Sequence, residues 1–280
     1  MDILQEVEIN EVCLSNKKRI SIIGGINVIE NEKFAFETAE IFKEICEKLN
    51  VNLIFKASYD KANRSSANSF RGPGIKKGLK ILEKIKNSLE IPIISDVHSP
   101  EEALEAAKVL DIIQLPAFLA RQTDLVKTLA STGKVINIKK PQFLSPHQVI
   151  NIVRKFIEYG NNRLLICERG TSFGYDNLIV DMLGFGVIKK DCKDIPLIFD
   201  VTHSLQCRDI GSHESGGRGE QSLELASAAI ATGIAGLFLE THSNPKLALC
   251  DGPSALSLNL LEDFLIQVLE IDKVVKRKYL

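Results

Sequence analysis

The chain has 280 residues, 45% of them hydrophobic and 25% charged, with a formal net charge of −1. That is long for one ordinary domain but suits an alternating strand–helix barrel, which reaches about 250 residues as a single unit. A near-zero net charge excludes a global field that recruits nucleic acid or a membrane surface, so any basic site must be local.

No uninterrupted apolar run of about 18 residues and no export signal stand out, so a cytoplasmic protein without a membrane span is expected. The six cysteines, Cys13, Cys46, Cys167, Cys192, Cys207 and Cys250, include no C-x-x-C pair, which points to free thiols.

Residues 1–18 alternate weakly through Val7, Ile9, Val12 and Leu14, predicting a short β-hairpin ahead of the main body. The first compact apolar run, Ile20–Ile23, is read as stopped by Gly24-Gly25. Seven similar runs follow at Asn52–Phe55, Ile91–Ser95, Asp111–Leu115, Val135–Ile138, Leu164–Cys167, Ile195–Phe199 and Ala235–Leu239. Between them, Ala35, Ala39, Phe42, Ile45, Cys46 and Leu49 share one helical face. Ser99-Pro100-Glu101-Glu102 and Ser145-Pro146-His147-Gln148 read as helix-starting capping boxes. Further helices are expected near Lys76–Glu90, Asp124–Ser131, Gln148–Tyr159, Gln221–Thr232 and Leu256–Lys276. Near-continuously apolar strands alternating with helices imply parallel strands covered on both faces, and eight of them close a (β/α)8 TIM barrel. No linker or low-complexity tract divides the chain, so one domain over residues 1–280 is expected, with 1–18 as its hairpin extension. An open doubly wound sheet is the alternative, but no glycine-rich dinucleotide turn follows the first strand.

Barrel active sites lie at the carboxyl ends of the strands. Read that way, the strands deliver Asn27; Lys56 and a basic loop; Asp96 and His98; Gln114 and then Arg121; Lys139-Lys140; Glu168-Arg169; Asp200, His203 and Gln206; and Glu240, His242 and Asp251. The loop Phe55–Gly74 gathers Lys56, Lys61, Arg64 and Arg71 with Asn63, Asn68, Ser58, Tyr59, Ser65, Ser66 and Ser69, and holds one acid, Asp60. Such a loop suits a phosphate ester, since arginine offers a planar fork and lysine a point charge. Arg121, Lys139 and Arg169 follow three successive strands and are expected to line one side of the mouth. With Lys56 and Lys61 they outnumber the needs of one dianion, which suggests two phosphates or a phosphate and a carboxylate. The imidazoles and carboxylates would suit a divalent ion, although no tight His/Cys cluster is present. Lys56 or Lys139 as a Schiff-base nucleophile is a further reading. A non-catalytic sugar-phosphate sensor is another, and the acids and imidazoles beside the cations weigh against it.

The segments FKASYDKANRSS, SFRGPG, DVH, IQLPAFLARQTDL, NIKKPQF, ERGTSFGYDNLIVDM, FDVTHSLQ, SGGRG, GLFLETH and CDGPSAL together resemble the 3-deoxy-D-manno-octulosonate 8-phosphate synthase family, over about Gly24 to Leu258. The resemblance implies condensation of phosphoenolpyruvate with D-arabinose 5-phosphate and water, for the inner core of lipopolysaccharide. A sibling synthase acting on a four-carbon aldose phosphate is the nearest rival. By resemblance, Arg121, Lys139 and Arg169 hold the phosphoenolpyruvate phosphate, and Lys61 and Ser58 its carboxylate. Asn63, Arg64 and Ser65 take the arabinose 5-phosphate, and Lys56 donates a proton near the aldehyde. His203, Glu240, Asp251 and Asp96 position water and sugar hydroxyls, with Gln114 and His98 in support. The family has a metal-dependent form with cysteine after the first strand and a metal-independent form with asparagine; Asn27 stands at that position, so no metal and no cofactor are expected. The resemblance also implies a homotetramer, and the loop Cys207–Glu220 is expected to close over the sugar phosphate.

Overall fold

The computed structural model describes residues 1–175, 177–208 and 215–279. Among the described residues, eight parallel strands form a closed ring: Ser21–Val28, Leu53–Ser58, Ile93–Asp96, Ile112–Leu115, Val135–Lys139, Leu164–Glu168, Leu197–Asp200 and Gly236–His242. The eighth pairs with both the seventh and the first, from Gly236↔Ser21 to Glu240↔Gly25, which shuts the (β/α)8 barrel. All eight apolar runs read from the sequence are these strands.

The first strand departs from expectation: it runs through Gly24-Gly25 and carries Asn27 within it. The two glycines serve close packing. A Cβ on Gly24 would lie 2.3 Å from the Phe42 ring, and one on Gly25 would lie 2.0 Å from the Lys56 carbonyl oxygen. The register slips between Gly25 and Val28, which re-aims the strand end.

The helices packed outside the ring are Glu32–Lys48, Ile75–Leu89, Pro100–Ala106, Thr123–Ser131, Val149–Glu158, Met182–Asp191, Ser222–Ala231 and Leu261–Lys276. Asn31 caps the first by accepting the Phe34 N–H at 2.9 Å, and Ser99 caps the third through the Glu102 N–H at 3.3 Å. Gln148 returns to the Ser145 N–H at 3.1 Å. Met182–Asp191 carries only a weak helical signal in its sequence, because Gly184 and Gly186 dilute its apolar stripe. Gly184 nonetheless faces inward, where a Cβ would meet Pro146 at 2.9 Å. The last helix starts at Leu261 rather than Leu256, because Leu256-Ser257 add a short strand beside Thr241-His242. Of the loop Cys207–Glu220, residues 209–214 lie outside the described residues; its flanks Gln206–Arg208 and Ser215–Gly217 pair antiparallel. Thr171–Phe173 and Asn177–Ile179 form a similar short ribbon after the sixth strand.

Side-chain alternation sorts the strands into two cores. One residue per strand faces the barrel axis near its amino-terminal end: Ile23, Ile54, Ile94, Ile112, Val135, Leu165, Ile198 and Phe238. The predicted hairpin, Glu6–Ile9 with Val12–Ser15, places Val7, Ile9, Val12 and Leu14 against that cluster and plugs this end. Asn16 fastens it, accepting the Leu197 N–H at 2.9 Å and donating to the Ile195 carbonyl at 2.8 Å. The larger core lies between strands and helices. No described helix is long and apolar enough to cross a membrane.

Candidate active site

Two residues beyond the apolar layer, the same strands again point inward, and there the side chains are Lys56, Asp96, Gln114, Asn137, Asp200 and Glu240, with Lys139 and Arg169 one step higher. Strand alternation therefore puts the residues read from the strand ends around one mouth. Lys56 is fully buried and its ammonium contacts the Glu240 carboxylate, the Ser58 hydroxyl at 3.0 Å and the Asn27 carbonyl at 3.2 Å. Ser58 donates to Asp96, whose other oxygen lies 3.2 Å from His98 Nε2; His98 Nδ1 lies 3.0 Å from Glu102. Lys139 pairs with Asp200, and its ammonium sits 3.4 Å from the centre of the Phe238 ring. Asp200 also caps the short helix Val201–Ser204, accepting the His203 N–H at 2.9 Å, and holds His203 Nδ1 at 2.7 Å. That leaves His203 Nε2 facing Glu240 at 3.4 Å and Asp251 at 4.0 Å. Asn27 Nδ2 donates to Glu240 and, at 3.1 Å, to Asp251, whose backbone is left-handed (φ 49°).

Burial raises the cost of each charge here, and the neighbours decide the outcome. For Glu240, desolvation pushes the pKa up, but Lys56, His203 and Lys61 overcome it and bring it to about 2. Asp96 is held well below the usual carboxylate range, against desolvation, by His98, Lys61 and Lys56. Asp200 is lowered as well, against desolvation, by His203 and Lys139. Lys56 goes down, chiefly because it is buried, which makes its ammonium a stronger acid than a free lysine's. Lys61 goes up: desolvation opposes charge, but Glu240 and Asp96 more than compensate. His98 is raised, against desolvation, by Asp96 and Glu102.

Above these pairs opens a cleft of about 1180 Å³, lined by Lys61, Asn63, Arg64, Ser65, Arg169, His203, Gln206 and Asp251 among others. Two buried cations in its wall lack a carboxylate partner among the described residues. Lys61 has no carboxylate within ion-pair distance among the described residues. Arg169 spends Nη2 on Gln206 at 2.8 Å, while its buried Nη1 has no partner. A buried guanidinium nitrogen without an acceptor is costly, and an anionic ligand would satisfy it.

Other expected residues are placed differently. Arg121 is exposed and does not line the cleft: after Gln114 the chain turns through Ala117–Leu119, which carries Arg121 outward. Arg71, counted in the basic loop, forms a two-point pair with Asp60 on the outside. Arg64 lines the cleft with its guanidinium against Cys250, whose thiol pKa is pushed up to about 12 by burial and by Asp251. His242 turns away to the Asn244 carbonyl (2.7 Å) and Glu30 (3.3 Å). Among the described residues, the six cysteines are free and no cluster of His, Cys, Asp and Glu forms a ready metal cage. The structure adds three residues to the site: Asp200, which holds Lys139 and His203; Glu102, which holds His98; and Gln206, beside Arg169. The Asp-x-x-His spacing of Asp200 and His203 was the available signal. Glu102 was visible only as a helix-cap residue.

The DAHP synthetase I family model matches residues 4–277. A protein of Parasynechococcus marenigrum (strain WH8102) named 2-dehydro-3-deoxyphosphooctonate aldolase is 62% identical over 272 residues, 97% of this chain and 96% of its own length. Proteins of the same name from Prochlorococcus marinus (strain MIT 9313) and Vibrio vulnificus (strain YJ016) are 60% and 55% identical, over 97% and 96% of this chain and 96% and 95% of their own lengths.

Proposed function

The chain belongs to the DAHP synthetase I family, and we propose that it condenses phosphoenolpyruvate with D-arabinose 5-phosphate and water to give 3-deoxy-D-manno-octulosonate 8-phosphate and inorganic phosphate. The observation that carries this reading is the pair of buried cations without a carboxylate partner, Lys61 and Arg169, facing one cleft over a floor of buried acids and an imidazole. Binding alone would need only the cations.

Arg169 and Lys139 take the phosphate of phosphoenolpyruvate, and Lys61, Ser58 and Gln114 its carboxylate side. Asn63, Arg64 and Ser65, from the loop on the cleft wall, take the phosphate of the sugar. Arg121 is left out of this set because it is exposed. The enol carbon attacks the aldehyde carbon, and the aldehyde oxygen takes a proton from Lys56, whose lowered pKa suits an acid. Water adds to the carbon bearing the phosphate, losing its proton toward the His203 side of the site. Positive charge developing at that carbon lies near Glu240 and Asp251, both within reach of His203. The carbon–oxygen bond of the hemiketal phosphate then breaks; phosphate leaves and the ketone remains. His98, held by Glu102, keeps Asp96 ionised and oriented toward the sugar hydroxyls.

The reaction runs without a metal in this reading. Asn27 supports it: its amide hydrogens already bridge Glu240 and Asp251, the carboxylates that would ligate an ion with His203. An amide oxygen is also a far weaker ligand than a thiolate for a transition metal. A cytoplasmic homotetramer serving the lipopolysaccharide core is proposed on the resemblance alone, and light scattering after size exclusion measures the assembly.

The deciding experiment is phosphate release from phosphoenolpyruvate with D-arabinose 5-phosphate, with erythrose 4-phosphate, and with no aldose. Release only with the five-carbon sugar is expected; release with erythrose 4-phosphate alone would make the chain the sibling synthase. Exhaustive chelation should leave the rate unchanged, and a rate lost to chelation and restored by a divalent ion would overturn the metal-free reading.

A further inference from the structure

The fifth and sixth barrel strands end in adjacent charged pairs, Lys139-Lys140 and Glu168-Arg169. Alternation sends Lys139 and Arg169 toward the axis and Lys140 and Glu168 toward the helices. Lys140 is completely buried there. Its ammonium lies 3.4 Å from Glu168 Oε1 and donates to the carbonyls of Pro141 (3.3 Å), Leu144 (3.3 Å) and Gly170 (3.1 Å) and to Thr171 Oγ1 (3.0 Å). One cation thus ties the loop after the fifth strand to the loop after the sixth. Glu168 Oε1 in turn accepts the backbone N–H of Arg169 at 2.8 Å and of Gly170 at 2.7 Å. Desolvating an ion pair of this kind is expensive, and well-packed apolar residues would stabilise a loop junction as well or better. The pair does something apolar residues cannot: it clamps the main chain from which the inward guanidinium hangs.

We propose that Lys140, acting through Glu168, is a positioning residue that sets the orientation of Arg169 toward the phosphate of phosphoenolpyruvate. The inference rests on the phosphate role given to Arg169 above. A guanidinium fork must meet phosphate oxygens in plane, so its reach depends on where its backbone is held. A lysine at the same place would act as a point charge and tolerate displacement better.

The test is a double-mutant cycle of Lys140→Met and Arg169→Lys in the full-length protein. KM is measured for both substrates, and inorganic phosphate binding is measured by calorimetry. Lys140→Met is expected to raise KM for phosphoenolpyruvate roughly tenfold and weaken phosphate binding in parallel, within the about hundredfold range that small misplacements cost. KM for arabinose 5-phosphate is expected to stay within about twofold, since its loop is not tied to Lys140. In the Arg169→Lys background the same change should add little. Equal losses for both substrates, or full additivity with Arg169→Lys, would overturn the proposal and leave Lys140 as loop support only. Should Lys140→Met fail to fold, Glu168→Gln keeps the acceptor for both N–H groups and removes the charge; the same coupled loss is expected, and its absence counts against the proposal equally. A wild-type protein that releases no phosphate from phosphoenolpyruvate sinks the proposed function instead, which separates the two failures.

Discussion

At the amino-terminal end of the barrel, Ile23, Ile54, Ile94, Ile112, Val135, Leu165, Ile198 and Phe238 close on the hairpin's Val7, Ile9, Val12 and Leu14 and exclude water. One pleat further along, the axis belongs to Lys56, Asp96, Gln114, Asn137, Asp200 and Glu240, buried almost as deeply. The ionisable groups behave oppositely at the two ends. At the mouth, cations hold Glu240, Asp96 and Asp200 ionised despite burial. At the closed end, Asp272 accepts the Ile20 N–H at 3.1 Å, but its other oxygen has no hydrogen bond and Lys276 is 3.8 Å away. Burial therefore raises the Asp272 pKa. A carboxylate among crowded cations is poised for chemistry; one short of partners is a modest burden on the fold.

The sharpest way to break this contrast is to change the mouth and watch stability. Arg169→Ala should cut kcat/KM by about 10²–10³-fold, the scale of a lost transition-state donor. The melting temperature should hold or rise, because an unpartnered buried nitrogen goes with it; a large loss of stability would make Arg169 structural. The reciprocal change, Leu165→Ala in the apolar layer, should cost about 3 kcal/mol of stability while kcat at low temperature stays near wild type. Denaturant unfolding and steady-state kinetics read both effects.

Acid provides a third test. Glu240 has its folded pKa depressed to about 2 from an ordinary 4.5, so its contribution is fully present above pH 4.5 and is lost as pH falls toward 2. That amounts to about 3 kcal/mol from this group. Glu240→Gln should flatten the loss in a pH series of unfolding curves; an unchanged acid limb would show that the Lys56 pair stabilises nothing. The smallest effect belongs to Asp272. Its folded pKa is raised, so the linkage term favours folding below the unfolded value of 3.8 and disappears as pH rises through the folded pKa. Asp272→Asn should raise stability slightly near neutrality and change nothing in acid. A loss at neutral pH would show that Lys276 depends on Asp272 as its counter-ion.

Much of the barrel was legible because its signals are local. Parallel strands buried on both faces read as short apolar runs, and Ser99 and Ser145 mark helix starts through bonds spanning a single turn. Local rules misled at Gly24-Gly25, where glycine answers to the Phe42 ring and the neighbouring strand's carbonyl rather than to a turn. They were silent on Met182–Asp191, where Gly184 is demanded by contact with Pro146. In the site, Lys61, Asn63, Arg64, Lys139, Arg169, His203, Glu240 and Asp251 converge as residue type and strand-end position suggested. Arg121 does not, because a three-residue turn intervenes.

The amino-acid order by itself determined which residues share a face, since alternation along a strand is a property of the backbone alone. It therefore placed Lys139 and Arg169 on one side and Lys140 and Glu168 on the other. Only the closed ring decided which buried cations of the mouth have partners: Lys56 meets Glu240 and Lys139 meets Asp200, each over one intervening strand, while Lys61 and one nitrogen of Arg169 are left over. Those pairings join residues far apart in the chain, and charge interactions depend on distance through space.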